Sequence, residues 1–139
     1  MDETREPLQH ALKKIGDRWS LMIIDALLDG PRRFSDLEGA VAGIAPNTLS
    51  SRLGKLEEEG VVTVFPYSER PTRNAYELTA AGHDLAGALR LLAHWGDRLS
   101  DEGPAIRHDL CGTPLDARWY CPSCDLMTDH DAGPATHRA

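Results

Sequence analysis

The chain has 139 residues, an ordinary apolar content of 41% and a formal net charge of −7. This length is enough for one domain with a hydrophobic core and a small appendage, and no apolar run reaches membrane-spanning length. The acidic balance on its face disfavours a nucleic-acid partner, although the charge of one local surface decides binding in small DNA-binding domains. The first residues lack the basic and apolar regions of a secretory signal, so we expect a cytoplasmic protein with no membrane partner.

The first forty residues contain three short helical patterns. The first covers residues 8–15 and has one apolar stripe. The second is capped by Asp17, reaches Leu28 and is apolar nearly all round, which predicts a helix buried on several sides at the centre of the core. Ser35 and Glu38 have the spacing of a capping box, which predicts the start of a third, short helix.

A more polar helix is predicted over residues 46–59. Leu49, Leu53 and Leu56 share one edge of it, and Pro46 suits its first position. Small side chains let a DNA backbone approach, amides and guanidinium groups reach base edges, and cations neutralise phosphates. The side chains of these kinds, away from the leucines, are Asn47, Thr48, Ser50, Ser51, Arg52 and Lys55. They suit a helix that reads the major groove, although most such helices only bury leucines.

After this helix the pattern becomes strand-like. Residues 61–65 are β-branched or aromatic, residues 66–74 are rich in turn formers, and residues 75–78 read as a returning strand. Three helices followed by such a hairpin form the order of a winged helix-turn-helix, with the wing over residues 66–74. The fold class is therefore mainly α with a small antiparallel β-hairpin (α+β). Further basic residues that could contact DNA are Arg32, Arg33, Arg70 and Arg73, although the last two could simply belong to a solvated loop.

The longest helical pattern runs from Thr79 to Leu99. Its apolar residues recur at spacings of three and four and are Leu85, Leu89, Leu92, Trp95 and Leu99. Little of the domain is left to cover so long a helix, so we expect a homodimer through this segment and the helix from Leu8 to Ile15. Packing on the protein's own domain is the alternative for part of the stripe. A twofold dimer would place two recognition helices on half-sites of a near-palindromic operator, about one helical turn apart.

The composition changes after residue 102, which predicts two parts: a DNA-binding and dimerisation domain over residues 1–102 and a tail over residues 103–139 whose last residues are flexible. In the tail, two residues separate His108 from Cys111 and two separate Cys121 from Cys124. Two paired turns of this kind are typical of a zinc-ribbon-like Cys3His site, which is structural because the protein fills all four positions. A redox Cys-x2-Cys motif and free thiols beside an unrelated histidine are the alternatives.

The residue after each pair also suits a zinc turn. Gly112 follows the first pair and readily adopts the positive φ that such turns favour. Asp125 follows the second pair, where glycine is more common, but aspartate tolerates that conformation better than most residues.

Several short motifs of this sequence resemble the HxlR family of bacterial transcriptional regulators, which is MarR-like. They occur in the family's order over roughly residues 7–99 and include Gly16-Asp17-Arg18-Trp19, Arg33-Phe34, Arg52-Leu53, Tyr76-Glu77-Leu78-Thr79 and Trp95-Gly96. The resemblance implies a winged-helix, DNA-binding homodimer whose recognition helix is the one over residues 46–59. Some chains similar to this family carry a comparable His/Cys tail, so the resemblance also implies zinc.

Two positions depart from the family pattern. Glu6-Pro7 stands where many members have a Cys-Pro pair, which excludes thiol sensing at that position. Ala45 stands where a serine often caps the recognition helix, and loss of such a cap costs about 1 kcal/mol.

No arrangement of nucleophile, base and orienting group is evident, so we expect no enzyme activity. Three hypotheses remain: a dimeric operator-binding regulator with a structural zinc tail, a metal- or thiol-responsive regulator that senses through the tail, and a winged-helix module that binds protein. Trp19 and Trp95 could line a pocket for an unknown small-molecule effector, and packing in the core is the alternative role for both.

Overall fold

The computed structural model describes residues 5–99 and 106–128. The chain divides into two compact units, Met1–Leu89 and Arg90–Ala139. The C-terminal end that we expected to be flexible lies outside the described residues. Within the described ranges, no helix combines the length and apolar character needed to cross a membrane.

The helices and strands follow the winged helix-turn-helix order. In chain order they are α1 (Glu6–Ile15), α2 (Arg18–Leu27), β1 (Arg32–Arg33), α3 (Phe34–Ala40), α4 (Pro46–Glu58), β2 (Val62–Glu69), β3 (Thr72–Leu78), α5 (Ala80–His83), α6 (Ala86–Asp97), β4 (Trp119–Cys121) and β5 (Leu126–Thr128).

The core of the first unit is built around α2, as the sequence predicts. Ile23, Ile24 and Leu27 of α2 are fully buried, and they belong to one cluster with buried leucines of α3 and α4. Trp19 packs partly buried against this cluster, which favours core packing for that residue.

The N-terminus of α2 confirms the predicted cap. The Asp17 carboxylate accepts hydrogen bonds from the Ser20 backbone N–H at 2.9 Å and from the Ser20 hydroxyl at 2.6 Å. Its Oδ1 atom also lies 3.0 Å from the Arg52 Nε atom on α4. One carboxylate therefore satisfies first-turn donors of α2 and links α2 to α4.

The wing is a longer hairpin than the sequence predicts. The antiparallel β2–β3 pairing extends to Glu69 and Thr72, so the predicted loop over residues 66–74 is wrong and only two residues separate the strands. Backbone hydrogen bonds hold this part of the ladder together. Its side chains are mostly polar, so the alternation of apolar and polar residues that predicts a strand is missing. Pro66 is tolerated because β2 is an edge strand in the order β1-β3-β2.

The third helix begins earlier than the capping-box spacing indicates. Arg33 is the residue before its first turn, and the Asp36 carboxylate accepts a hydrogen bond from the Arg33 backbone N–H at 3.2 Å. The prediction from Ser35 and Glu38 is therefore wrong in register, because Asp36 supplies the reciprocal contact. Arg33 also belongs to the unpredicted short strand β1, which pairs with β3.

The predicted long helix from Thr79 to Leu99 is two helices. Thr79 caps the first, since its hydroxyl accepts a hydrogen bond from the Gly82 backbone N–H at 3.2 Å, and that hydroxyl also donates to the Gly60 carbonyl at 2.6 Å. The α-helical bonding then stops, because the Leu85 N–H bonds to the Gly82 carbonyl three residues back. Tethering to the start of the wing fixes the direction of α5, a tertiary constraint that helical periodicity does not reveal.

The Asp17 site allows a test of the link between α2 and α4. Partial burial raises the pKa of the Asp17 carboxyl, but hydrogen bonds from Ser20 and the charge of Arg52 outweigh burial and leave the pKa below its ordinary value of 3.8. We expect Asp17→Ala to lower the free energy of unfolding by about 1–2 kcal/mol at pH 7, measured by urea denaturation. Asp17→Asn loses the charge and one of the two acceptor oxygens but keeps a capping oxygen, so its effect should be smaller than that of alanine.

The pH dependence has a definite sign. A depressed pKa in the folded state stabilises the protein above the unfolded pKa, and this stabilisation is lost as the pH falls through the folded pKa. The difference in unfolding free energy between wild type and Asp17→Asn should therefore shrink below about pH 3.8. In an Arg52→Ala background the Asn substitution should cost less at pH 7, and an equal cost in both backgrounds would contradict the ion-pair role.

Candidate functional site

The exposed side of α4 forms a polar face. We use this name for Asn47, Ser50, Ser51 and Gly54, which are exposed and recur at spacings of three and four. The side chains of Asn47, Ser50 and Ser51 have no hydrogen-bond partner within the part of the chain that the structure describes. The opposite side of α4 buries its three leucines in the core. Burial of that edge leaves the polar face turned outward.

The flanks of this face differ from what the sequence suggests. Thr48, Arg52 and Lys55 are half-buried, whereas Ser50 is exposed. The Arg52 guanidinium is paired with Asp17 at 3.0 Å. Arg52 therefore positions α4 on α2 in the free protein. The N-terminus of α4 lacks a side-chain cap at Ala45, as the sequence predicts.

Two other arginines predicted to contact DNA have partners within the chain. The Arg32 Nε atom donates to the Ala26 carbonyl at 2.7 Å. Arg33 binds both carboxylate oxygens of Asp36, at 3.1 and 3.3 Å, and also contacts the Tyr67 hydroxyl on β2. These arginines join neighbouring elements around the sheet.

Three predicted cations carry no ion pair to any residue in the ranges 5–99 and 106–128. They are Lys55 on the flank of the polar face and Arg70 and Arg73 at the exposed end of the wing. Two side-chain hydrogen bonds fasten this end: Ser68 donates to the Pro71 carbonyl at 3.0 Å, and Thr72 donates to the Glu69 carbonyl at 3.4 Å. The wing therefore presents its arginines from an ordered turn.

Acidic side chains collect at the opposite end of α4. Glu57 and Glu58 are exposed there, and Glu59 pairs with Lys14 of α1 at 2.8 Å. Lys55 lies in the same last turn as Glu57 and Glu58, and Glu69 is exposed beside Arg70, so Arg70 and Arg73 at the wing are the two of these three cations that lie farthest along the chain from the α4 glutamates. A net negative chain can carry a local DNA-binding surface in this way.

Sequence reasoning missed Gly54 and Tyr67 in this region. Gly54 lies within α4 at an exposed position where no atom would contact an added Cβ. This is an unusual place for a residue that lowers helix stability. The signal in the sequence was its spacing of seven residues from Asn47, which places both residues on the same side of the helix. Tyr67 lies where the β2–β3 register shifts, and no periodicity announces such a bulge.

The tail contains two hairpins. The first tail hairpin (residues 106–115) has backbone bonds from His108 to Thr113 at 2.9 Å and from Leu115 to Ile106 at 3.0 Å. The second tail hairpin (residues 119–128) pairs β4 with β5.

The four predicted metal ligands come together as two pairs. The His108 Nδ1 and Cys111 Sγ atoms are 3.3 Å apart, and the Cys121 sulfur is hydrogen-bonded by the Cys124 and Ser123 backbone N–H groups, which lower the pKa of its thiol. Within residues 5–99 and 106–128, no three His, Cys, Asp or Glu side chains form a group that could hold a metal ion. The structure thus forms each ligand turn without uniting the two.

The helix-turn-helix part of the chain matches one known family. The sequence model of the HxlR-like helix-turn-helix family matches residues 14–104 of this chain. The chain belongs to the HxlR family. It is therefore a transcriptional regulator of the HxlR/MarR type with a DNA-binding helix-turn-helix, which confirms the resemblance seen in its motifs.

Individual HxlR-like proteins show how far the similarity extends. The HTH-type transcriptional regulator Rv3095 of Mycobacterium tuberculosis is 43% identical over 123 residues, covering 86% of this chain and 77% of its own. The structure of the redox regulator HypR in its oxidised form superposes with a TM-score of 0.64 at 27% identity, covering 68% of this chain and 98% of HypR. The reduced form of YodB from Bacillus subtilis gives a TM-score of 0.59 at 30% identity, covering 70% and 96%.

These matches treat the tail differently. The HxlR family model ends at residue 104, before the first tail hairpin. A match over 86% of the chain reaches past that residue, so Rv3095 shares part of the tail.

Gly54 gives a test of the HxlR recognition surface. We expect Gly54→Ala to raise the free energy of unfolding by about 0.5–1 kcal/mol, because alanine favours the helix and its methyl group meets no neighbour. If DNA approaches this side of α4, the same methyl group should weaken duplex binding. Thermal denaturation and fluorescence anisotropy with duplex DNA measure the two effects. A variant with higher stability and unchanged DNA affinity would contradict close approach at Gly54.

Proposed function

We propose that this HxlR-family regulator binds a near-palindromic operator as a homodimer. The polar face of α4 enters the major groove and the wing contacts the backbone or minor groove. The observation that carries the proposal is the outward row of short polar side chains without partners in the described chain. Such side chains allow the backbone of a helix to come close to base edges.

Charge supports the same orientation. Lys55 flanks the polar face, and Arg70 and Arg73 lie at the end of the wing, so these cations are available to phosphates without breaking an ion pair. The other predicted arginines instead hold the scaffold: Arg52 would have to leave Asp17 before it could contact DNA. We therefore assign the main phosphate contacts to Lys55, Arg70 and Arg73, and a positioning role to Arg52.

Two exposed apolar stripes support the homodimer. On α1, Leu8 and Leu12 are 62% and 53% exposed. On α6, Leu92 and Trp95 are 54% and 60% exposed, and Leu99 in the turn that follows α6 is 75% exposed. Water-exposed stripes of this size on helices are typical of surfaces that pair with another chain. A second copy is the occupant we infer, because a twofold pair would bring two recognition helices to two half-sites.

The solved relatives favour a second candidate function, a regulator whose DNA binding responds to oxidation of its thiols. HypR is named a redox regulator and its structures are of the oxidised and reduced forms. In this chain all three cysteines lie in the tail. Redox control would therefore have to act through the tail, and its signature would be an operator affinity that falls on oxidation and recovers with reductant.

The cation assignment predicts a graded effect on DNA affinity. Lys55→Ala, Arg70→Ala and Arg73→Ala should each weaken binding to any duplex and reduce the slope of log affinity against log salt by about 1.8, because each removes two phosphate contacts per dimer at about 0.9 each. Arg90→Ala on α6 is the matched control and should leave the slope unchanged. The readout is a salt titration of binding by fluorescence anisotropy. Slopes equal to wild type in all three variants would refute the assignment.

The dimer surface predicts a change of mass. Trp95→Glu should place a charge in the apolar contact and shift the protein from a dimer toward the 15.3 kDa monomer in light scattering. Operator affinity should fall with it, whereas Arg90→Glu, an exposed α6 position outside the stripe, should leave the mass unchanged. A wild-type protein that is monomeric at micromolar concentration would argue against the homodimer.

A further inference from the structure

Over residues 106–128, the tail has two hairpins but no buried core of its own. None of the described residues between 106 and 128 is buried. The side chains that could cover a site here are largely in water, with Leu115, Trp119 and Tyr120 at 43%, 56% and 53% exposure. Isolated two-stranded hairpins are marginal in water, and segments below about 40 residues generally need a disulfide, a metal or another chain. The tail therefore requires a cross-link that apolar burial does not supply.

The two tail hairpins repeat one turn. In the first, His108 follows the bridge between Arg107 and Pro114, Cys111 comes three residues later, and Gly112 has φ +70°. In the second, Cys121 ends β4, Cys124 follows three residues later, and Asp125 has φ +53°. Each hairpin thus presents two side chains that can ligate a metal from equivalent positions, followed by a residue in the left-handed region.

Neighbouring groups hold these turns in place. The Gly112 N–H donates to the His108 carbonyl at 2.7 Å, which closes the first turn. The Tyr120 hydroxyl donates to the Asp125 carboxylate at 2.7 Å, which secures the left-handed residue of the second. The Ser123 and Cys124 N–H groups point at the Cys121 sulfur. Backbone donors directed at a thiolate are the second-shell contacts that orient metal-bound cysteines.

We propose that His108, Cys111, Cys121 and Cys124 bind one Zn²⁺ ion that cross-links the two tail hairpins. Three thiolates and one imidazole are a donor set that tetrahedral zinc prefers, and four protein ligands leave no open position for catalysis. The odd number of cysteines fits this set, since a disulfide would leave one thiol over. Binding brings the two preformed pairs onto one ion, which supplies the folding free energy that the hairpins lack.

The experiment uses the full chain without a histidine tag, purified without chelator. We expect about one zinc ion per chain by elemental analysis. Replacement of zinc by Co²⁺ should give a thiolate charge-transfer band in the near ultraviolet and the strong visible bands of tetrahedral cobalt. Cys111→Ser, Cys121→Ser and Cys124→Ser should reduce the zinc content to background, and His108→Gln should remove the wild-type cobalt spectrum.

Matched controls separate ligand loss from general damage. His10→Gln replaces an exposed histidine outside the tail, and Ser123→Ala keeps the backbone N–H that faces Cys121. Both should retain one zinc ion. If the cysteine variants fail to fold, the cobalt titration of wild-type protein still decides the question.

Several results would overturn the proposal. These are background zinc with no cobalt charge-transfer band in wild-type protein, half an ion per chain, zinc retained in the cysteine variants, or a Cys121–Cys124 disulfide in the freshly purified chain. Zinc content is measured without DNA, so its failure is independent of the operator-binding proposal.

Discussion

The DNA-binding unit depends on one carboxylate that fixes two helices relative to each other. Asp17 caps α2, the central helix of the core, and holds Arg52 of α4 at 3.0 Å. The buried leucines of α4 contribute more free energy, roughly 1.5–3 kcal/mol each, but apolar packing alone is non-directional. The directed ion pair adds a restraint on how α4 is turned about its axis, and so on where its polar face points.

The elements whose signals are local were predictable. Asp17 was identified as a cap from sequence because a capping side chain acts within three residues, and this cap forms. The wing was missed beyond residue 65 because main-chain pairing extends it. The break between α5 and α6, where the Leu85 N–H bonds to the Gly82 carbonyl, was missed because the apolar spacing of the segment does not mark it.

The candidate site shows the same division. The polar face follows from helical spacing, so most of its residues could be read from sequence. The engagement of Arg52 could not, since its partner lies 35 positions away. Arg33 and Asp36 are three residues apart, and that pairing was accessible to a closer reading of charge spacing. Sequence thus identifies the basic residues near a candidate site, whereas the structure shows which of them have partners within the described chain.

This difference among the cations gives the proposed homodimer a role in DNA binding. Once Arg32, Arg33 and Arg52 are assigned to the scaffold, each protomer offers only three of the six predicted cations without an internal ion pair. The electrostatic affinity for DNA grows with the number of phosphates neutralised, and the remaining chain is net negative. A single protomer would therefore bind weakly at physiological salt. Two protomers on one duplex would double the number of phosphate contacts. The apolar stripes on α1 and α6 would therefore contribute to DNA affinity without touching DNA.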